Sequence, residues 1–211
     1  MIDQNIVKKT LEALKKNRME AVYIPTREEL LSVLDTHLEE QDSVSFGGSM
    51  TLFESGVMDH IKELASKQVI TLLDRNKPGL TPEDVAKLYR DSFFCDAYLT
   101  SSNAITQDGC LYNVDGNGNR VAAMLFGPKK VIVIAGTNKI VQDHAAAERR
   151  LEEIAAPLNA KRLKLPTPCA KTGTCMHCQT DARICCDFVT MGWQRIPGRV
   201  RVLLVGESLG Y

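Results

Sequence analysis

The sequence predicts an α/β fold in which helices cover both faces of a β-sheet. The first observation is that segments with a helical spacing of apolar residues alternate along the chain with short apolar strands. The second is the segment KVIVIAG at residues 130–136, whose long apolar run is typical of a strand inside a parallel or mixed sheet. The third is that 211 residues, 44% of them hydrophobic and 25% charged, suffice for one globular core, so we expect a single domain over residues 1–211.

Local patterns predict the elements in chain order. Val7, Leu11 and Leu14 recur at helical spacing and indicate an N-terminal helix. The segment SVSF alternates polar and apolar residues, which predicts a strand at 43–46 that two glycines end. The other strands are expected at residues 21–24, 68–74, 96–100, 130–136 and 200–207, and the other helices at 27–38, after Ser49, at 82–93, after Gly118 and at 142–156.

Three short motifs mark where elements begin or turn. Thr26 with Glu29 has the pattern of a capping box at the start of a helix. Thr81 with Asp84 has the same pattern, with proline in the first turn. The Asp-Gly pair that ends at Gly109 lies between two apolar stretches and predicts a hairpin turn.

The charge balance limits the classes of partner. With 26 basic and 26 acidic residues the formal net charge is zero, so we expect binding neither to nucleic acid nor to a membrane surface, since both require a positive footprint. No apolar run approaches the roughly 20 residues that span a bilayer, and no signal-peptide pattern begins the sequence. We therefore expect a cytoplasmic location, where thiols are kept reduced.

Five of the seven cysteines are clustered in a loop at residues 166–190, which we predict to bind a metal. Four of them have the spacing C-x5-C-x2-C-x6-C, and the C-x-x-C pair within it directs two thiolates to one metal. Four thiolates suit either tetrahedral zinc or an iron–sulfur cluster. Because the spacing is nearer to the uneven spacing of iron–sulfur loops, we expect a [4Fe–4S] cluster, with zinc as the alternative. The expected ligands are Cys169, Cys175, Cys178 and Cys185, with Cys186 as a substitute.

A glycine turn after the strand at 43–46 is the second candidate site. Gly47 and Gly48, followed by Ser49 and Thr51, would present backbone N–H groups and a helix start to a phosphate, a carboxylate or a CoA pyrophosphate. A plain strand–helix turn with a serine cap is the alternative. Glu54 in the following helix is a candidate nucleophile or base, or else a surface charge.

The segment NVDGNGNR at residues 113–120 is the third candidate. Its glycines permit close approach of the backbone to a ligand, and its arginine can hold a carboxylate or phosphate with two hydrogen bonds. We expect Arg120 to be an exposed loop residue that binds the ligand and, like Glu54, a candidate for catalysis. The alternative is that Arg120 pairs with Asp115 or Glu54 and only fastens the loop. The expected ligand-binding residues here are Asn113, Asp115, Gly116, Gly118, Asn119 and Arg120.

Three stretches resemble the LUD-domain family, which comprises lactate utilization proteins C and stand-alone relatives. They are FGGSMTL, SNAITQDGCLYNVDGNGNRVAAMLFGPKKVIVIAGTNKIV and the terminal PTPCAKTGTCMHC. The resemblance implies an open three-layer α/β/α sheet similar to the group of sugar-phosphate isomerases, CoA-transferases and formyltetrahydrofolate cyclo-ligases. In that group small anionic ligands bind at the carboxyl ends of the strands, which agrees with the two glycine-rich candidate sites.

The resemblance also implies a function in L-lactate oxidation to pyruvate, together with iron–sulfur oxidoreductase subunits. The cysteine motif belongs to one branch of the family, so the same four cysteines carry over as the metal ligands. We expect a component of lactate utilization or of a related organic-acid redox system, which binds a small anionic ligand and an iron–sulfur cluster. The alternatives are a non-redox transferase or isomerase with structural zinc, and a non-catalytic ligand-binding or regulatory module. A homodimer and the activity of the chain alone are left open.

Overall fold

The computed structural model describes residues 2–211. Its strands are β1 (Glu20–Ile24), β2 (Ser43–Phe46), β3 (Thr71–Leu72), β4 (Ala97–Thr100), β5 (Ala104–Thr106), β6 (Leu111–Asp115), β7 (Lys130–Gly136), β8 (Ile140–Val141), β9 (Asp187–Met191) and β10 (Val200–Val205). Its α-helices are α1 (Gln4–Lys16), α2 (Arg27–Asp35), α3 (Met50–Glu54), α4 (Val57–Ser66), α5 (Pro82–Asp91), α6 (Asn119–Leu125), α7 (His144–Arg150), α8 (Ala156–Arg162) and α9 (Pro168–Thr172).

A parallel six-stranded sheet forms the centre of the fold, in the order β1-β10-β7-β4-β2-β3. Strand β7 is completely buried and lies between β10 and β4, as its apolar sequence predicts. Because all six strands are parallel, their carboxyl ends meet at one edge, and the loops that follow them converge there.

Helices cover both faces of this sheet, which confirms the predicted α/β architecture. Ile132 and Ile134 point to one face and belong to an apolar cluster that includes residues of α2, α3 and α4. Val131 and Val133 alternate with them and belong to a second cluster with residues of α1, α6 and the smaller sheet. The result is a three-layer α/β/α arrangement.

A second sheet, which the sequence patterns did not predict, has the order β8-β5-β6-β9. Strands β5 and β6 form the expected hairpin, with the N–H of Gly109 donating to the carbonyl of Thr106 at 2.9 Å. Gly109 has a φ of 84° and packs so closely on α1 that an added Cβ would lie 2.5 Å from the carbonyl carbon of Ala13. Glycine is therefore required at this turn.

Several element boundaries differ from those predicted. The strand expected at 68–74 is limited to Thr71–Leu72 at the edge of the main sheet. The helix expected at 142–156 extends to Arg162 and contains a π-helical turn at Leu151–Ala155. Pro157 follows that turn and has no N–H to donate, which is a known cause of an irregular helical ladder.

The two predicted capping boxes have different outcomes. Thr81 and Asp84 form a complete box: the Asp84 N–H donates to Thr81 Oγ1 at 3.2 Å, and the Thr81 N–H donates to Asp84 Oδ2 at 2.9 Å. The Thr26 side chain accepts no backbone hydrogen bond and lies 3.3 Å from Glu29 Oε1 instead.

Between residues 2 and 211, no helix is both long and apolar enough to cross a bilayer.

Candidate functional site

A polar cavity of about 340 Å³ lies at the carboxyl edge of the main sheet. Gly48 and Ser49 line it directly after β2, Ser101 lines it directly after β4, and Lys139 lines it three residues beyond the end of β7. The loop between β6 and α6 contributes from the second sheet. The two glycine-rich candidate segments, about 70 residues apart in sequence, thus face the same cavity, although the second of them follows a strand of the smaller sheet.

The charges around the cavity are mostly positive. Arg75, Arg120, Lys139 and Arg162 line it, and Asp115 is the one carboxylate in its lining. Asp115 lies 3.6 Å from Arg120 and offsets part of that charge. The cavity therefore offers surplus cationic groups to an anionic ligand.

Arg120 is largely buried and fully engaged with neighbouring loops. Its guanidinium donates to Asn113 Oδ1 at 2.7 Å, to the Val114 carbonyl at 2.7 Å and to Asn103 Oδ1 at 3.3 Å. Only 12% of the side chain is exposed, so the expectation of an exposed loop residue is wrong. Burial lowers the pKa of Arg120, which the nearby Asp115 partly opposes. Arg120 lines the cavity, and its hydrogen bonds connect the segments that surround it.

Asp115 fixes the start of α6. Its Oδ2 accepts hydrogen bonds from the N–H groups of Arg120 and Val121, each at 3.1 Å, and its Oδ1 accepts from the N–H of Gly116 at 2.8 Å. Gly118, at the helix N-cap, has a φ of 72°, a conformation that favours glycine. The dense polar segment is therefore held in shape mainly by its own hydrogen bonds.

Arg75 is the basic side chain with the weakest protein partners. Its Nη1 lies 3.3 Å from the Tyr89 hydroxyl, and its guanidinium carbon lies 5.4 Å from the centre of the Tyr89 ring and 5.9 Å from that of Phe46. Its Nε is buried without a hydrogen-bond partner, and no carboxylate within residues 2–211 forms an ion pair with it. Because Arg75 lines the cavity and its guanidinium makes one hydrogen bond, its terminal N–H groups retain the capacity to donate to a ligand.

Lys139 is buried, with 3% of the residue exposed. Its Nζ donates to Thr51 Oγ1 at 2.8 Å and to Ser101 Oγ at 3.0 Å. Burial above all, followed by the charges of Arg150 and Arg120, lowers the pKa of Lys139 to about 7, although Glu54 opposes the shift. A lysine in this state exchanges a proton near neutral pH.

The remaining predicted residues of the glycine turn have structural contacts. The turn pattern predicts a Gly47 N–H that is free to bind an anion. In the structure this N–H donates to the Leu99 carbonyl at 2.9 Å instead. Thr51 is buried beside Lys139, and Ser49 precedes the helix without capping it through its side chain. Glu54 is exposed and accepts a hydrogen bond from the N–H of Gly210 at 2.7 Å.

In the segment 113–120, Asp115, Gly116, Asn119 and Arg120 line the cavity, and so does Asn117. Asn113 is buried behind Arg120, and its Nδ2 has no hydrogen-bond partner. Ligand binding by this segment and by the glycine turn stays a prediction, although the structure brings most of their residues together.

The four cysteines of the predicted metal set line a second, smaller cavity of about 50 Å³. The C-terminal segment reaches this cavity through α9, which carries Cys169, and through a turn in which the Cys175 N–H donates to the Glu152 carbonyl at 2.9 Å. Arg183 braces the loop by donating to the carbonyls of Cys178 at 2.8 Å and Cys185 at 2.7 Å. All seven cysteines are free thiols.

The donor set fits a thiolate-ligated group by chemical type. All four thiols line the same cavity. Burial raises the pKa of Cys185 to about 11, and the neighbouring Cys175, Cys169 and Cys178 add to the shift. Within residues 2–211 no three His, Cys, Asp or Glu side chains are arranged so that they could hold a metal ion. Cys186 is exposed, and its Sγ lies 3.6 Å from the Arg183 carbonyl rather than in the cavity wall.

The family assignment follows from the sequence as a whole. The family model described as the LUD domain matches residues 7–205, which is nearly the entire chain. The chain belongs to the LUD-domain family. Its placement in a branch with a C-terminal cysteine motif stays a prediction. No curated protein is significantly similar to this LUD domain in sequence.

One solved structure supports the fold of the LUD domain. A DUF162 family protein from Deinococcus radiodurans matches with a TM-score of 0.54 at 12% sequence identity, covering 98% of this chain and 99% of that chain. At this identity the match shows a shared fold. The chain is also weakly similar to eIF2B delta from Chaetomium thermophilum, with a TM-score of 0.35, 14% identity and coverage of 67% of this chain and 53% of that chain.

Sequence reasoning missed three of the four basic side chains that line this LUD-domain cavity: Arg75, Lys139 and Arg162. Arg75 lies in the segment RNKPG, which reads as an ordinary loop, and Lys139 follows the strand at 130–136 in the segment GTNKIV. Neither has a motif around it. The one available signal for Lys139 is its position just after a buried strand, where open α/β sheets bind ligands.

Proposed function

We propose that this LUD domain binds a small organic anion in the polar cavity and acts as a component of lactate utilization or of a related organic-acid redox system. The observation that carries the proposal is Arg75, whose guanidinium lines the cavity with one hydrogen bond of 3.3 Å and no ion pair within residues 2–211, in the same lining as Arg120 and Lys139. A carboxylate or phosphate placed there would accept charge-assisted hydrogen bonds that the protein itself does not satisfy.

The cavity limits the size and chemistry of the ligand. Its volume of about 340 Å³ is at the lower end of the range for small-molecule sites, which favours a compact acid over an extended cofactor. Hydroxyl and amide groups of Ser49, Ser102, Asn103 and Asn119 line it together with the cations. These groups suit the hydroxyl or carbonyl oxygen of a lactate-like or pyruvate-like molecule, and equally that of a small phosphosugar.

The cysteine cavity supports the redox part of the proposal. In our proposal Cys169, Cys175, Cys178 and Cys185 would hold a [4Fe–4S] cluster, with zinc as the alternative, after a rearrangement of the loop that brings the thiolates into coordination. A cluster bound there would accept and release electrons, whereas zinc would only stabilise the loop. Partners would then be iron–sulfur oxidoreductase subunits.

Calorimetric titration of the purified protein with lactate, pyruvate, a phosphosugar and CoA tests the anion site. We expect one of the small acids to bind, and Arg75→Gln to weaken that binding about ten- to hundredfold, the effect of losing a hydrogen bond to a charged group. The matched control is Arg149→Gln, because Arg149 is exposed on α7 and outside the cavity lining. Equal loss in both variants, or no binding of any of the four ligands, would contradict the proposal.

A further inference from the structure

Two buried lysines lie at opposite ends of strand β7 and differ in their partners: one has carboxylate partners and the other has neutral ones. Lys130 begins the strand, and its Nζ lies 2.6 Å from Asp42 Oδ2 and 3.1 Å from Glu39 Oε1. Lys139 follows the other end of the strand, and within residues 2–211 no carboxylate lies within ion-pair distance of it. Its two hydrogen-bond partners are neutral hydroxyls, those of Thr51 and Ser101. Lys130 therefore has the contacts of a structural ammonium group, and Lys139 does not.

The hydrogen bonds of Lys139 are those that an uncharged amine can make. The Thr51 hydroxyl donates to the Leu209 carbonyl at 3.2 Å, so its oxygen accepts from Lys139. The Ser101 oxygen accepts the second N–H. A neutral amine has two N–H donors and one lone pair, so these two bonds use both donors and leave the lone pair free. Lys139 is also one of the residues that line the polar cavity, which places the amine beside the space that a bound molecule would occupy.

The surroundings keep a substantial part of Lys139 uncharged at neutral pH. Burial removes the ammonium group from water, and the charges of Arg150 and Arg120 repel it, so the pKa is lowered to about 7. An amine that is both desolvated and close to other cations is the form in which lysine acts as a nucleophile toward carbonyl groups.

We infer that Lys139 forms a covalent imine with the carbonyl carbon of a 2-oxo acid held in the polar cavity. The inference rests on the proposed function and narrows its ligand class: the carboxylate meets Arg75 and the adjacent cations, and the carbonyl carbon meets the amine. Pyruvate is the smallest acid that has both groups.

The step consumes one proton from the solvent and releases one molecule of water, and it needs no oxidant or reductant. The Nζ lone pair attacks the carbonyl carbon, the C=O electron pair moves to oxygen, and a proton passes from nitrogen to that oxygen to give a carbinolamine. A second proton on the oxygen lets it leave as water, and the C=N bond of a protonated imine forms. The hydroxyls of Thr51 and Ser101 contact the nitrogen and can relay these protons. The imine draws electrons from the neighbouring carbon and weakens the bonds at that carbon.

Reductive trapping tests the imine on the intact chain. The protein is incubated with pyruvate and sodium cyanoborohydride, digested, and mapped by mass spectrometry. We expect a reduced pyruvyl adduct on Lys139, none on Lys130, and a rate of adduct formation that increases as the pH rises through about 7. Lys139→Met should give no adduct, and mapping of the wild-type chain decides the matter even if that variant does not fold.

Oxamate, which has the shape of pyruvate but an unreactive amide carbonyl, separates binding from covalent chemistry. We expect oxamate to bind in calorimetry and to block the adduct. Binding of pyruvate without an adduct on Lys139, or labelling spread equally over Lys130 and surface lysines, overturns the imine and leaves the proposed function standing. No binding of pyruvate or oxamate overturns the imine alone if lactate, the phosphosugar or CoA still binds, and no binding of any of these ligands overturns the proposed function as well.

Discussion

Asp115 and Arg120 contact each other twice, through backbone and through side chain. Asp115 Oδ2 lies 3.1 Å from the backbone nitrogen of Arg120 and 3.6 Å from its Nε, and both side chains are almost completely buried. The carboxylate therefore orients the first turn of α6 and the guanidinium together. As a result Arg120 contributes to the stability of the cavity wall as well as to its charge.

Arg120→Lys should destabilise the fold. Lysine cannot reproduce the separate hydrogen bonds to Asn113, Val114 and Asn103, so buried oxygens would lose their donors. We expect the free energy of unfolding in urea to fall by about 1–3 kcal/mol. Arg75→Lys is the matched control and should change stability much less, because Arg75 has no ion pair and one weak hydrogen bond. Equal stability of both variants would show that Arg120 does not hold the loops together.

Gly48→Ala should affect the cavity rather than the fold. An added Cβ would lie 2.5 Å from Arg75 Nη2, which is the end of a flexible side chain and can move away. We expect nearly unchanged thermal stability and a clear loss of affinity for the small acid found by titration. Gly109→Ala provides the contrast, since its Cβ would meet the backbone of α1 at a positive φ, and this variant should unfold at a much lower temperature. Full affinity in folded Gly48→Ala would exclude Arg75 from the binding site.

Lys139→Met should change how stability depends on pH. Folding lowers the pKa of Lys139 from 10.5 to about 7, so between these values the unfolded chain binds more protons than the folded chain. Wild-type stability therefore gains a contribution that increases with pH across this window, by at most about 1.4 kcal/mol per pH unit. Relative to the wild type, the variant should be most stable at and below pH 7 and lose that advantage as the pH rises. Urea unfolding of both proteins across the window checks this, and parallel curves would contradict the lowered pKa.

Replacement of the C-x-x-C pair should abolish metal binding. After anaerobic purification, we expect about one iron–sulfur cluster or zinc ion per wild-type chain and none in Cys175→Ser/Cys178→Ser. Cys95→Ser is the control, because Cys95 is buried outside the cysteine cavity and donates to the Ser92 carbonyl. Elemental analysis with visible absorption measures both metals. Full occupancy in the double variant would refute the ligand assignment.

The sequence was sufficient for the main sheet because its strands carry local signals. Residues 130–136 are apolar enough to identify a central strand, and the glycines after β2 identify a turn at its end. The second sheet has no such signal. Strand β9 lies partly inside the predicted cysteine loop at 166–190. It pairs with β6, which lies more than 70 residues earlier in the sequence, so only tertiary packing reveals the pairing.

In the candidate site too, some features have a local sequence signal and others depend on tertiary packing. The segment 113–120 was identified from its density of polar residues, but composition does not distinguish a side chain that faces a ligand from one that stabilises a loop. Arg120 donates hydrogen bonds to Asn113 and to the Val114 carbonyl, and these contacts stabilise the loop. Lys139 and Arg75 were missed because their chemistry depends on burial and on having no carboxylate as an ion-pair partner within the described residues. Neither property can be predicted from the residues next to them in the sequence.

The position of β10 between β1 and β7 has a consequence for synthesis on the ribosome. Strand β1 pairs with the main sheet through β10, whose residues 200–205 are made some 180 residues later. Until those residues emerge, the apolar edges of β1 and β7 have no partner, and such unpaired edges favour aggregation of nascent chains. Closure of the main sheet therefore waits for residues 200–205, and a nascent chain halted before residue 200 would expose two unpaired strand edges.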